Sequence, residues 1–91
     1  MISRTVRVEN HLGLHARAAA RLVRAAAAYS SRISLERVGA GPAVDAKSIL
    51  SVLMLAAARG TELAIIAEGD DESAAVDELS RLFAERFGEE A

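Results

Sequence analysis

The chain has no cysteine and no tryptophan, and only one proline, one tyrosine and two phenylalanines among its 91 residues. Without cysteine, neither a disulfide framework nor a thiolate metal site is available. Charged residues interrupt every apolar stretch before it could span a bilayer, and the opening MISRTVRVEN carries no apolar signal core. A cytoplasmic protein with no membrane insertion is therefore expected. The three aromatics, Tyr29, Phe83 and Phe87, fall in segments of helical patterning. That argues against a base-stacking RNA-recognition sheet, and a formal net charge of −2 gives no separate reason to expect nucleic acid.

What is present is apolar and finely alternated. Hydrophobic residues make up 52% of the chain, much of it alanine, which favours closely packed helices. A chain this short buries somewhat more than roughly 60% of its unfolded surface, so its core has to be well patterned rather than large. Arg4–Glu9 alternates Val6 and Val8 as a half-buried strand. Ala16–Tyr29 has strong helix formers with no glycine or proline, and Ala19, Leu22, Val23 and Ala26 share one face. Arg32–Val38 is a second strand, and GAGP a turn into a short strand at Ala43–Asp45. Ala46–Gly60 reads as one helix or two, with Ser48 as N-cap; Thr61–Gly69 is a β-branched strand. Asp70–Gly88 closes the chain as a helix capped by Asp70 or Asp71, its buried stripe Val76, Leu79, Phe83 and Phe87. The order βαββαβα predicts an α+β domain over residues 1–91, helices on one face of an antiparallel sheet. Order alone leaves the strand arrangement open.

Both histidines lie in NHLGLHARAA, where the first helix begins. His11 and His15 have H-x₃-H spacing, but Gly13 and the expected turn prevent helical alignment and no third ligand is evident, so no metal is expected. No nucleophile elbow marks a hydrolase. His15 falls near the helix N-cap, where unpaired N–H groups and the positive end of the dipole gather, and Arg17 adds a guanidinium that can fork onto phosphate oxygens. Two readings stay open on these residues alone: a histidine that caps or packs at a helix start, and one that accepts a phosphoryl group. Arg17, Arg21 and Arg24 recur at i, i+4 and i+7 and could meet an acidic partner. Ile49, Leu50 and Leu53 offer more apolar surface than one core stripe needs.

LGLHARAA, AKSI before an apolar helix, and RGTELAIIAEGDDESAAVDEL together resemble the HPr family of histidine phosphocarriers of the bacterial phosphotransferase system, along essentially the whole chain. The resemblance implies an open-faced β-sandwich of four antiparallel strands with three helices on one side. It implies phosphorylation of His15 on its δ1 nitrogen by phospho-enzyme I, charged from phosphoenolpyruvate, and transfer onward to EIIA-type proteins in sugar uptake or regulation. Arg17 would stabilise the phosphate. Arg21, Arg24, Ile49, Leu50 and Leu53 would form the docking face, and Ser48 matches the serine that an HPr kinase/phosphorylase modifies. A monomeric carrier without a cofactor, rather than an enzyme with its own turnover, is expected. Ala18 replaces the usual proline of the signature and resembles the nitrogen-branch NPr variants, and the GAGPAVDA hairpin is about two residues longer than usual. A regulatory binding protein acting through Ser48 is the remaining alternative.

Overall fold

The computed structural model describes residues 1–90. Its elements run β1 (Ile2–Arg7), α1 (Ala16–Ala27), β2 (Arg32–Arg37), β3 (Val44–Asp45), α2 (Ile49–Met54), β4 (Glu62–Glu68) and α3 (Glu72–Ala84), with a short 3₁₀ turn at Arg86–Gly88. The four strands form one sheet in the order β1-β4-β2-β3, antiparallel at every pairing. The last strand thus enters between the first two, Val6 opposite Leu63 and Leu35 opposite Ile65.

Alternation decides which face of the sheet is covered. Leu63, Ile65 and Ala67 of β4 and Ile33 and Leu35 of β2 are buried under the helices. Ala64, Ile66 and Ser34 point the other way and are half-buried. Ala18, Ala19, Leu22 and Ala26 line the inner side of α1, and Ala75, Val76, Leu79 and Phe83 that of α3. The alanines let the helices approach closely, while Phe83 and Phe87 supply the bulk. The result is an open-faced sandwich with its three helices on one face.

Several element limits differ from the sequence expectations. β1 lies two residues earlier, because its ladder with β4 runs from Ile2–Ala67 to Arg7–Glu62. The expected helix over 46–60 contracts to Ile49–Met54, since Ala56 turns left-handed at φ 50° and ends it. α1 stops at Ala27, leaving Tyr29 beyond it with its hydroxyl donating to Glu78. α3 stops at Ala84, because Arg86 and Phe87 are both left-handed, at φ 55° and 53°. Phe87 is buried as expected but reaches the core from the turn, its ring edge-on to Phe83 with centroids 4.9 Å apart. Only Phe83 of the three aromatics therefore sits on a regular α-helix, and none lies on a strand.

Asp71 occupies the N-cap position of α3 but makes no side-chain cap bond. Its carboxylate instead accepts from the backbone N–H groups of Ser30 and Ser31, at 2.9 and 3.0 Å, and from both hydroxyls. This clamp ties the α1–β2 connection to the head of α3. The hydrogen bonds, led by that from the Ser31 hydroxyl, hold the Asp71 carboxyl down to about 2. An unfolded aspartate titrates near 3.9, so the clamp contributes fully above that pH and is lost as pH falls through the folded value. Asp71→Asn is therefore expected to lower stability at pH 7. It also flattens the decline in stability between about pH 4 and pH 2, measured as urea midpoints across that range.

Candidate functional site

The loop before α1 is locked in place from two sides. Gly13 sits at φ 69°, and a Cβ there would come 2.5 Å from the Ala57 carbonyl oxygen and 3.0 Å from the Ala58 Cα. Leu14 N–H donates to that same Ala57 carbonyl at 2.9 Å. From the other side the fully buried Asn10 spans the loop: its carbonyl accepts from Gly13 N–H at 3.1 Å, and its Nδ2 donates to the Gly13 carbonyl at 2.6 Å. The backbone can reach this position only because residue 13 has no side chain.

His15 follows as the N-cap of α1, with extended backbone, and its carbonyl accepts the first helical bond from Ala19 N–H at 2.8 Å. Its ring serves two neighbours. Nδ1 accepts from Arg17 N–H at 3.3 Å, a long capping bond, while Nε2 faces Glu89 Oε2 at 2.6 Å. Glu89 also accepts from Asn10 Nδ2 at 3.1 Å. Burial alone pushes the Glu89 carboxyl up, but hydrogen bonds from His15 and Asn10 and the charge of Arg17 outweigh it and hold Glu89 below the usual glutamate range.

Around the ring lies an open cleft of about 730 Å³, lined by His11, Leu12, His15, Arg17, Arg21 and Glu89 among others. It combines an imidazole, two guanidiniums and the positive end of α1, a set suited to an anion and to nucleophilic attack on phosphorus. His11 is exposed on the turn. Arg21 donates to the Phe87 carbonyl, so it is partly engaged, and Arg24 stands exposed one turn further along, outside the cleft. A second hollow of about 750 Å³ near β2 and β3 is lined by Ser31, Asp45, Lys47 and Glu68. It lacks such a set, and its Lys47 ammonium already donates to the Tyr29 carbonyl at 2.7 Å. Among the described residues no group of three or more His, Cys, Asp or Glu could hold a metal ion, and no helix is long and apolar enough to cross a membrane.

Ser48 caps α2, its oxygen accepting from Ser51 N–H at 3.3 Å. The residues after it face solvent: Ile49 is 44% exposed, Leu50 66%, Leu53 36%, and Met54 75%, while Val52 alone of this helix is buried. Leu12, beside His15 in the cleft lining, is 67% exposed as well. Sequence reasoning missed Asn10 and Glu89. Glu89 lay in a short charged tail; only the buried stripe reaching Phe87 hinted that the chain end returns to the core.

The family model described as "PTS HPr component phosphorylation site" matches residues 2–85. The chain belongs to the PTS-HPr family. It is 47% identical over 90 residues to phosphocarrier protein HPr of Treponema pallidum, covering 99% of this chain and 100% of that one. The solved structure of HPr-C-His from Thermoanaerobacter tengcongensis superposes at a TM-score of 0.93, with 40% identity and both chains covered in full. The HPr dimer structure from the same organism gives 0.76, with 39% identity and 98% and 100% covered. The family match takes in His15, Arg17 and Ser48, whereas Glu89 lies beyond it.

Gly13 is the most stringent backbone requirement of this HPr site. Gly13→Ala is expected to cost about 2–4 kcal/mol, left-handed strain plus the clash with Ala57. The cost is checked by urea unfolding, and the Leu14 amide should lose protection from hydrogen exchange.

Proposed function

We propose that the chain is a phosphocarrier in which His15 Nδ1 takes a phosphoryl group from phospho-enzyme I, itself charged from phosphoenolpyruvate, and passes it to a histidine of an EIIA-type protein. The observation that carries this reading is the position of His15. Its ring is the cap of α1, with Nδ1 turned to the Arg17 N–H and Arg17 and Arg21 on the rim of an open cleft. Attack by Nδ1 forms the N–P bond while the donor's P–N bond breaks. The Arg17 N–H that caps Nδ1 is then free to bond a phosphoryl oxygen, and the Arg17 guanidinium adds a charged hydrogen bond worth about 1.5–3 kcal/mol. The helix end adds about 0.3–1 kcal/mol. These sums hold a phosphoryl group without trapping it, as a carrier requires.

The docking face in this reading joins the exposed apolar residues Leu12, Ile49, Leu50, Leu53 and Met54 to the exposed arginines Arg17, Arg21 and Arg24 of α1. Acidic partners with apolar centres fit it, the charges raising the encounter rate. The working form in this reading is a single-domain cytoplasmic monomer. Ser48 suits a regulatory site, since a phosphate of about −1.5 to −2 charge there would stand beside Ile49 and Leu50 and repel acidic partners. Ala18 favours nothing against sugar-uptake partners: it occupies the first turn of α1 fully buried, where a good helix former serves as well as proline. It leaves nitrogen-branch partners equally compatible.

Incubation with phosphoenolpyruvate and enzyme I should add one acid-labile phosphoryl group, detected by mass, which His15→Ala abolishes. No addition to the wild-type chain with a cognate enzyme I would sink the carrier reading. Arg17→Ala should slow transfer roughly tenfold or more in both directions while thermal unfolding stays close to wild type.

A further inference from the structure

Beyond α3 the chain is built to return to His15. Arg86 and Phe87 adopt left-handed backbone, a conformation non-glycine residues hold only when their surroundings force it. The surroundings are specific: the Phe87 ring is buried against Phe83, and the Arg21 guanidinium holds the Phe87 carbonyl. Gly88 then turns at φ 80°, and Glu89 arrives with one carboxylate oxygen 2.6 Å from His15 Nε2. A second device holds the other oxygen. Asn10, fully buried, spends its Nδ2 on the Gly13 carbonyl and on Glu89, and its own Oδ1 has no partner among the described residues. An amide that leaves its acceptor unsatisfied to present its donors is oriented for what those donors hold.

We propose that Glu89 is a positioning residue for His15, selecting the tautomer that leaves Nδ1 nucleophilic and balancing the charge that the ring acquires on phosphorylation. A neutral imidazole carries one N–H, and a carboxylate only accepts. The 2.6 Å contact therefore places the proton on Nε2 and the lone pair on Nδ1, the nitrogen that faces Arg17. As Nδ1 bonds to phosphorus, the donor keeps the electrons of the bond that breaks. The ring retains its Nε2 proton and becomes a phosphoimidazolium with a positive charge. Glu89 stands against that charge at the far edge of the ring, without occupying the side where phosphorus binds. The logic is that of the carboxylate behind a catalytic histidine in a nucleophilic triad, with the histidine here as nucleophile. Of the other charged groups lining the cleft, Arg17 and Arg21 are cations and Glu90 is exposed. None of them is hydrogen-bonded to Nε2, so among the described residues Glu89 performs this task.

This inference rests on the phosphocarrier reading, and its test uses a small N–P donor, phosphoramidate, so that no protein partner is involved. The P–N bond of phosphoramidate breaks and ammonia leaves as His15 Nδ1 takes the phosphoryl group. Wild type, Glu89→Gln and Glu89→Ala are compared by the rate of phosphohistidine formation and by ¹⁵N chemical shifts of the His15 ring. Glu89→Gln keeps the shape but removes the charge and leaves one acceptor oxygen in place of two, and is expected to slow uptake roughly tenfold. Glu89→Ala is expected also to convert the neutral ring from the Nε2–H form to a mixture that includes Nδ1–H. Uptake by both variants as fast as or faster than wild type overturns the inference, as does an unchanged tautomer ratio in Glu89→Ala. Failure of the wild type itself to take up phosphoryl overturns the carrier reading and this inference with it. Melting temperatures of the three proteins, expected to agree because residue 89 follows the buried anchor at Phe87, separate these effects from loss of fold.

Discussion

The site depends on how the loop at Asn10–His15 is seated against the loop after α2. Leu14 N–H bonds the Ala57 carbonyl, and Gly13 passes so close to the same peptide that no Cβ fits. From that contact the direction of α1 follows, and with it the place where its first N–H groups emerge. His15 caps those groups, so its χ angles are held by the helix it begins. Asn10 closes the loop from within, and one amide thereby couples the loop, the glycine and the Glu89 carboxylate. The anion-binding potential of a helix start is generic. What is particular is that an imidazole, rather than a serine or an aspartate, holds the capping position.

The same molecule shows how one residue type serves different ends by position. Ser48 caps α2 and Asp71 stands at the cap of α3, but Asp71 turns away to clamp Ser30 and Ser31. Arg4 pairs with Asp77 at 2.8 Å across β1 and α3, an exposed pair of small energetic weight. Arg37 reaches the Leu55 carbonyl at 2.7 Å and satisfies the end of α2. Arg17 makes no such bond through its side chain among the described residues, and its guanidinium lines the cleft. Arg21 divides itself between the cleft and the Phe87 carbonyl, so the basic stripe legible along α1 is three arginines with three different environments.

Much of the fold was readable because its elements are patterned at short range. Period-two alternation marked β1 and β2, β-branched residues marked β4, and the glycine-free alanine run marked α1. The misjudged limits have local physical causes that no propensity carries. Ala56, Arg86 and Phe87 take left-handed backbone although none is glycine, at a cost of about 1–2 kcal/mol each, which for Phe87 is offset by burial of its ring against Phe83. Asp71 was a sound cap by type, but two serine N–H groups forty residues away in sequence offered its carboxylate more bonds than its own helix did. Ile49, Leu50 and Leu53 could not be divided between core and surface from the sequence. Their exposure follows from α2 being only six residues long, with Val52 alone turned inward.

The sequence by itself determined the element order, the helical start at His15, the arginine beside it and the resemblance that LGLHARAA carries, since each is a matter of neighbours within a few residues. Only the tertiary structure decided that β4 inserts between β1 and β2, because antiparallel pairing between strands so far apart in sequence is chosen by which faces can be buried together. It alone decided that Asn10 is buried under the loop and that Glu89 lies on the His15 ring, 74 positions away in sequence. That contact needs Phe87 to bury, Arg21 to hold its carbonyl and Gly88 to turn, and no local pattern encodes such a conjunction.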